Sequence, residues 1–449
     1  MPIYAQWMKT GFKLPQCEKH FHDHDEIWLI QEGQGTGYYI DFQGKRSEFT
    51  LHAGDVWMIP TGYEHGSNGP NSEDFTINVF NGTLPAGAHK PGHYYVEEQG
   101  YLPQLELRKV ATQRYRSRPE LPASMRGIVF EAQGVVRFKK DIPVPPFGDD
   151  QILIRTQYSG LTNGTERNLL VGGNYGGNYP VSFGYQNVGE VVAIGDKATT
   201  SLRIGDRVFS GNFQGHLEYF TVRGSYADDD SQNWVVKLPD RVKSKDAALF
   251  GMASVAMNNV RRSKAGLGSR VLVVGLGPIG QFTAQAARAA GAYVVTCDLV
   301  ESRLELSRQL DADEAINTST DEGWAQLRAA GPFDIIFEDS GAPILDRVIG
   351  KDWTGGLLKT SGLLVMVAGR NEVNYVFNAG QASLLNIMHV GHFERADLLA
   401  VTRLTDKGII QVDSIIQDTV HIEDSEDVYA RLLVRNQELM GVVYEWEWN

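Results

Sequence analysis

Cysteine is nearly missing from this chain: Cys17 and Cys297 are the only two among 449 residues, and they lie far apart in sequence. Two thiols give no disulfide framework and cannot build a four-thiolate zinc site. Long apolar runs are missing as well. None approaches the roughly 20 residues needed to span a bilayer, and the opening MPIYAQWMKTGFKLPQ has neither a basic n-region nor an apolar h-region, so a cytoplasmic location without a membrane partner is expected. Basic clusters are scarce, because 42 Lys and Arg stand against 55 Asp and Glu, a formal net charge of −13. Nucleic-acid binding needs clustered cations against phosphate and is excluded on that ground. A small neutral or polar ligand fits better, and a homo-oligomer is the expected assembly.

What is present changes character along the chain. Residues 27 to 82 read as short strands, IWLIQEG, TGYYIDF, SEFTLHAG, DVWMIP and DFTINVFNG, with turn glycines between them, the pattern of an all-β sandwich or small barrel. Residues 81 to 124 are rich in Pro, Gly and Arg and read as a wrapping segment and linker. A second β-rich, Pro-punctuated module follows from about Met125. After about Ala247 the period switches to strand, glycine turn, helix and strand, the βαβ signature.

Within that signature, VLVVGLGPIG places Gly275, Gly277 and Gly280 in G-x-G-x-x-G spacing directly after an apolar strand. The first glycine permits the tight turn, the second admits a pyrophosphate to the backbone, and the third lets helix and strand pack closely. Pro278 and Ile279 open the helix, whose N-terminus favours an anion. Asp298 ends the next strand at about the 20-residue distance expected of the acid that binds ribose hydroxyls. A carboxylate there repels a 2′-phosphate, which favours NAD over NADP, while Arg303 nearby tempers that preference.

From about Arg126 to Trp446 the chain resembles the medium-chain dehydrogenase/reductase family of alcohol, sorbitol and threonine dehydrogenases. The resemblance rests on YSGLTNGTERN, GYQNVGEVVAIG, LRIGDRVFSG, GHLEYFTV, GLGPIG and DSEDVYARLL, which occur in the family's order. It implies a GroES-like catalytic domain whose last strands return from the C-terminus around an inserted Rossmann domain. Zinc members carry a ligand cysteine in C-G-T-D, a ligand histidine in G-H-E and a four-cysteine lobe. Here Asn163-Gly164-Thr165-Glu166 and Gly184-Tyr185-Gln186 stand at the first two places, and the lobe is missing, so a dehydrogenase half without zinc is expected. Oxidation of an alcohol still needs a proton acceptor near the nicotinamide. The candidates are His216, Glu166 and Tyr185. His216 has the most suitable unperturbed pKa but could be a packing histidine, Glu166 could make a structural hydrogen bond or pair with Arg167, and Tyr185 could be an aromatic wall.

The N-terminal segment KHFHDHDEIW supplies His20, His22 and Glu26, and GDVWMIPTGYEHGSN supplies His65. Together these are similar to the two cupin motifs, H-x-H-x-x-x-E and G-x5-P-x-G-x-x-H. The resemblance covers residues 10 to 85 and implies that His20, His22, Glu26 and His65 ligate one divalent metal, Fe, Mn, Ni or Zn; imidazole with carboxylate suits such ions. A metal-free sugar-binding cupin is the alternative. His24 is expected in a solvated connection with Asp23 and Asp25, and Trp28, Tyr38, Tyr39 and Trp57 in the barrel core.

The expected organisation is a cupin barrel over 1–98, a linker over 99–124, a GroES-like domain over 125–248 and 380–449, and a Rossmann NAD domain over 249–379. The expected activity is oxidation of a secondary alcohol of a sugar, polyol or related small molecule. The cupin would be a second active site or an accessory domain. Two alternatives stand beside this: the cupin as a sugar-sensing or oligomerisation module, and the C-terminal half as a non-catalytic NAD-binding redox sensor.

Overall fold

A computed structural model describes residues 8–13, 17–22, 24–40, 45–60, 63–70, 75–81, 93–95, 121–195, 197–198, 200, 202–224, 234–434 and 439–447. The chain divides into two compact units, Met1–Arg118 and Pro119–Asn449. Among the described residues no helix is long and apolar enough to cross a membrane.

The first unit is all-β. One antiparallel sheet has the order β1 (Met8–Lys13), β8 (Thr76–Asn81), β3 (Glu26–Glu32), β6 (Val56–Ile59). The other has the order β5 (Arg46–His52), β4 (Gln34–Ile40), β7 (Glu64–Pro70), β2 (Cys17–His22), β9 (His93–Tyr95). Alternation in β3 turns Trp28 and Ile30 inward, where they join Ile59, Phe75, Ile77 and Val79 of their own layer and Leu51 of the other sheet in one core. Trp28 is buried and Trp57 packs edge-on against it at 5.0 Å, while the Tyr38 ring lies under the Arg46 guanidinium at 3.9 Å.

The second unit begins with a hairpin of β10 (Ser124–Ala132) and β11 (Val135–Pro143). Its main sheet runs β16 (Val235–Lys237), β14 (Arg207–Ser210), β13 (Asn187–Ile194), β12 (Gln151–Gly160), β24 (Gly441–Glu445), β23 (Ile416–His421), with β15 (Tyr219–Arg223) also on β12. Helix α1 (Asn163–Leu170) follows β12. The strand returning from the C-terminal region, β24, pairs antiparallel with β12, Ser159 facing Tyr444.

Between these halves lies a six-stranded parallel sheet in the order β19 (Glu314–Asn317), β18 (Tyr293–Asp298), β17 (Arg270–Val274), β20 (Phe333–Glu338), β21 (Leu358–Met366), β22 (Asn386–His389). Helices cover both faces, so β17 reads RVLVV and buries its last four residues. The order reverses between β17 and β20, the switch point where open α/β sheets bind ligands. The sheet passes the expected Rossmann limit at residue 379, because β22 pairs in parallel with β21. A four-residue strand with half-exposed side chains carries little hydrophobic signal, so no periodicity in the sequence marks it.

Candidate functional site

The glycine turn leaves β17 at the switch point. Gly275 has φ +92°, and a Cβ there would meet Ser340 at 2.8 Å; a Cβ on Gly280 would stand 1.9 Å from the Gly275 carbonyl oxygen. Both positions therefore require glycine. Helix α2 (Pro278–Ala289) starts with Gly277 as its cap and no side chain bonded to its first N–H groups, with Pro278 and Ile279 in its first turn. This cradle fits a dinucleotide pyrophosphate. Asp298 closes β18, its carboxylate accepting hydrogen bonds from the Leu276, Leu299 and Val300 amides at 2.7, 2.7 and 2.9 Å. Arg303 Nη1 stands 3.6 Å from the same carboxylate, so acid and cation share the ribose end of the cradle.

The three candidate bases fall into two environments. Glu166 lies in the first turns of α1, fully buried, and accepts from the Thr162 amide at 2.7 Å and from the Tyr429 hydroxyl at 2.5 Å. His216 is equally buried: Nε2 is 3.2 Å from Glu166 Oε2 and Nδ1 is 2.8 Å from Ser159 Oγ, which also accepts from Trp446 Nε1 at 3.0 Å. Both imidazole nitrogens are thus committed inside the domain. Gly184, at φ +139°, is glycine for this reason, since a Cβ would press to 2.8 Å on His216 Nε2. Glu166 pairs with His216 and Tyr429 rather than with Arg167. Tyr429, Ser159 and Trp446 come from elements far apart in the chain, and no local motif announces them.

Tyr185 sits apart from that pair. Burial pushes its phenol pKa up, with the Thr162 and Thr165 side chains opposing that rise. Its ring packs on Phe213 at 5.1 Å and edge-on to His392 at 4.9 Å. Gln186 Oε1 accepts from the Met252 amide at 2.9 Å while Nε2 donates to the Gly160 carbonyl and Thr162 Oγ1, each at 3.3 Å. Asn163 donates to the Leu439 and Met440 carbonyls at 3.1 Å each.

In the N-terminal unit the structure brings together His22, Glu26 and His65, all buried, with ligand atoms within 4.8 Å of one another. Glu26 Oε2 lies 3.0 Å from His22 Nε2 and 2.9 Å from His65 Nε2. Burial would raise the Glu26 carboxyl, but the two imidazoles hold it well below the ordinary carboxylate range. His65 Nδ1 bonds the Tyr63 carbonyl at 2.9 Å, and donation there turns the Nε2 lone pair toward the carboxylate. Two acceptors so placed call for a proton or a cation between them. The β2–β7 register sets His20 opposite His65, but the His20 side chain lies outside the described residues. His24 departs from its expected solvation: it is 1% exposed, with its ring 4.8 Å from that of His22. Its even spacing from His22 keeps it on the inner side, and Asp25 alone of its described neighbours faces out.

Two family models match the second unit: an alcohol dehydrogenase GroES-like domain over residues 148–240 and a zinc-binding dehydrogenase over 278–398. A sorbitol dehydrogenase from Bombyx mori is 31% identical over 292 residues, covering 58% of this chain and 80% of that one. One from Bacillus subtilis (strain 168) is 24% identical, covering 72% and 98%. Among solved structures, 2R,3R-butanediol dehydrogenase from Bacillus subtilis superposes with a TM-score of 0.61 at 22% identity, covering 72% of this chain and all of that one; this supports the fold. The zinc-binding family model overturns the expectation that the dehydrogenase half lacks zinc. At the two positions where zinc members carry thiolate and imidazole stand the Asn163 amide and the Tyr185 phenol, and among the described residues the one three-ligand cluster is in the N-terminal unit. Neither an amide nor a phenol is a usual zinc ligand.

Proposed function

Since this chain belongs to the medium-chain alcohol and polyol dehydrogenases of the zinc-binding family, we propose that it oxidises a secondary hydroxyl of a sugar, polyol or related small molecule with NAD as acceptor, the Tyr185 hydroxyl holding the reacting oxygen by a hydrogen bond. The observation that carries this is the nucleotide cradle: Gly275 at φ +92°, Gly280 seated against the Gly275 carbonyl oxygen, and the open N-terminus of α2 behind them. When bound, the nicotinamide accepts the hydride. Gly275, Gly277 and Gly280 would hold its pyrophosphate against α2, and Asp298 the adenosine ribose.

Proton movement follows from the hydrogen bonds. The substrate hydroxyl hydrogen-bonds the Tyr185 oxygen; burial keeps that phenol protonated, so the substrate's own proton leaves to water as the hydride departs. Behind Tyr185, Glu166 fixes the Thr162 amide, and His216 and Tyr429 hydrogen-bond that buried carboxylate. His216 thereby becomes a positioning residue rather than the first acceptor. Replacing Tyr185 with Phe should lower kcat about tenfold in an NADH-absorbance assay with the best substrate of a sugar and polyol panel, leaving NADH affinity unchanged. Retained kcat would remove Tyr185 from this role.

For the N-terminal unit we propose a cupin whose His22, Glu26 and His65 bind one divalent metal. Its support is the pair of acceptors, His65 Nε2 and Glu26 Oε2, facing each other at 2.9 Å. A bound cation would supply a Lewis acid for a second substrate site.

A further inference from the structure

One wall of the dehydrogenase cleft is unusually aromatic. Tyr185, Phe213 and Trp234 come from the catalytic domain, while His392 and Phe393 follow the carboxyl end of β22, the side of the parallel sheet where ligands bind. Ring centroids are 4.9 Å apart for Phe213 and His392, 4.7 Å for Trp234 and His392, and 4.1 Å for His392 and Phe393. Gly211 is glycine beneath them because a Cβ would stand 2.5 Å from the Phe393 ring. Phe213 is 50% exposed, so its face is open rather than packed away.

The wall also holds unused polar atoms. Burial lowers the His392 pKa to about 4 against a smaller raising effect of the Gly211 backbone, so the imidazole is neutral at pH 7. Its Nε2 is buried without a partner, as is Trp234 Nε1: one acceptor and one donor, adjacent. Asn258 Nδ2 clamps the His392 carbonyl at 2.6 Å and fixes the ring's backbone. Buried groups of this kind cost stability unless something bonds them, and a ligand is the natural partner.

We propose that this wall receives a cyclic polyhydroxylated substrate, a pyranose or cyclitol, with its C–H face on Phe213 and a hydroxyl donating to His392 Nε2. An open-chain polyol presents no flat apolar face and loses more rotational freedom on binding, so it is the poorer substrate. This rests on the oxidoreductase reading above but separates the chain from its sorbitol-oxidising relatives.

The test uses the full-length protein with NAD and compares pyranoses and cyclitols with sorbitol, xylitol and galactitol. Cyclic substrates should show kcat/KM about tenfold higher or more. Phe213→Leu should raise their KM about tenfold with kcat little changed, and His392→Phe should raise it similarly. Open-chain polyols turned over as well as rings, with KM indifferent to Phe213→Leu, would overturn the inference and leave the oxidoreductase reading standing. Turnover of neither set would sink that reading. Calorimetric titration of the cyclic panel into the NADH-bound protein then decides the subsite: binding weakened by Phe213→Leu supports it, and absence of binding ends it.

Discussion

Asp339 shows how much a single residue can depend on its surroundings. It follows β20 beside the glycine turn, and both carboxylate oxygens are buried without a partner although the residue as a whole is half-buried. Burial pushes its pKa well above the ordinary carboxylate value. The unfolded chain releases this proton near pH 3.9, whereas the folded state keeps it to higher pH. Its contribution is therefore fullest below the unfolded pKa and is lost as pH rises toward the folded one. Asp339→Asn should raise stability by about 1 to 3 kcal/mol at pH 8, with the gain shrinking toward pH 4. Melting curves at both pH values check this, and an equal gain at both would refute it. Nothing local in FEDSG announced that environment. His24 and His216 teach the same lesson: a histidine's access to solvent is set by what folds over it, and Ser159, Trp446 and Tyr429 lie 57, 230 and 213 residues from His216 in sequence.

At the scale of elements, the fold is most legible in the sequence where one short segment carries the geometry. Strand β17, the turn at Gly275 and helix α2 were legible because strand, glycines and helix are contiguous, and the steric demand at Gly280 is local. Gly280→Ala would drive a methyl to 1.9 Å from the Gly275 oxygen, so the turn must open. NADH affinity should fall tenfold or more, about 1.4 kcal/mol, in a fluorescence titration, with far-UV circular dichroism retained. Unaltered affinity would mean that the cradle is not at Gly280. The Rossmann edge at β22 was not legible, because its pairing with β21 and not its composition defines it. The aromatic wall is likewise an assembly of Tyr185, Phe213, Trp234 and His392 from four separate segments, and no spacing rule joins them.

The whole molecule carries two candidate chemistries in two compact units. His22, Glu26 and His65 were found in the sequence because two motifs prescribe them, yet their mutual geometry came only with the β2–β7 pairing and the start of β3. His65→Ala should remove about one equivalent of bound metal by elemental analysis while leaving NADH affinity of the second unit unchanged. Metal content that survives the substitution would dissolve the proposed site. The second unit has its own constraint of order in time. Strand β24 completes the catalytic sheet on β12, and Trp446 reaches Ser159 beneath His216. During vectorial synthesis the nascent GroES-like half must therefore wait, with β12 carrying an open edge, until roughly the whole Rossmann segment has emerged and folded. A ribosome stalled before residue 441 would display a finished nucleotide cradle beside an unfinished proton network, which makes cofactor binding an earlier event in this protein's biogenesis than competence for turnover.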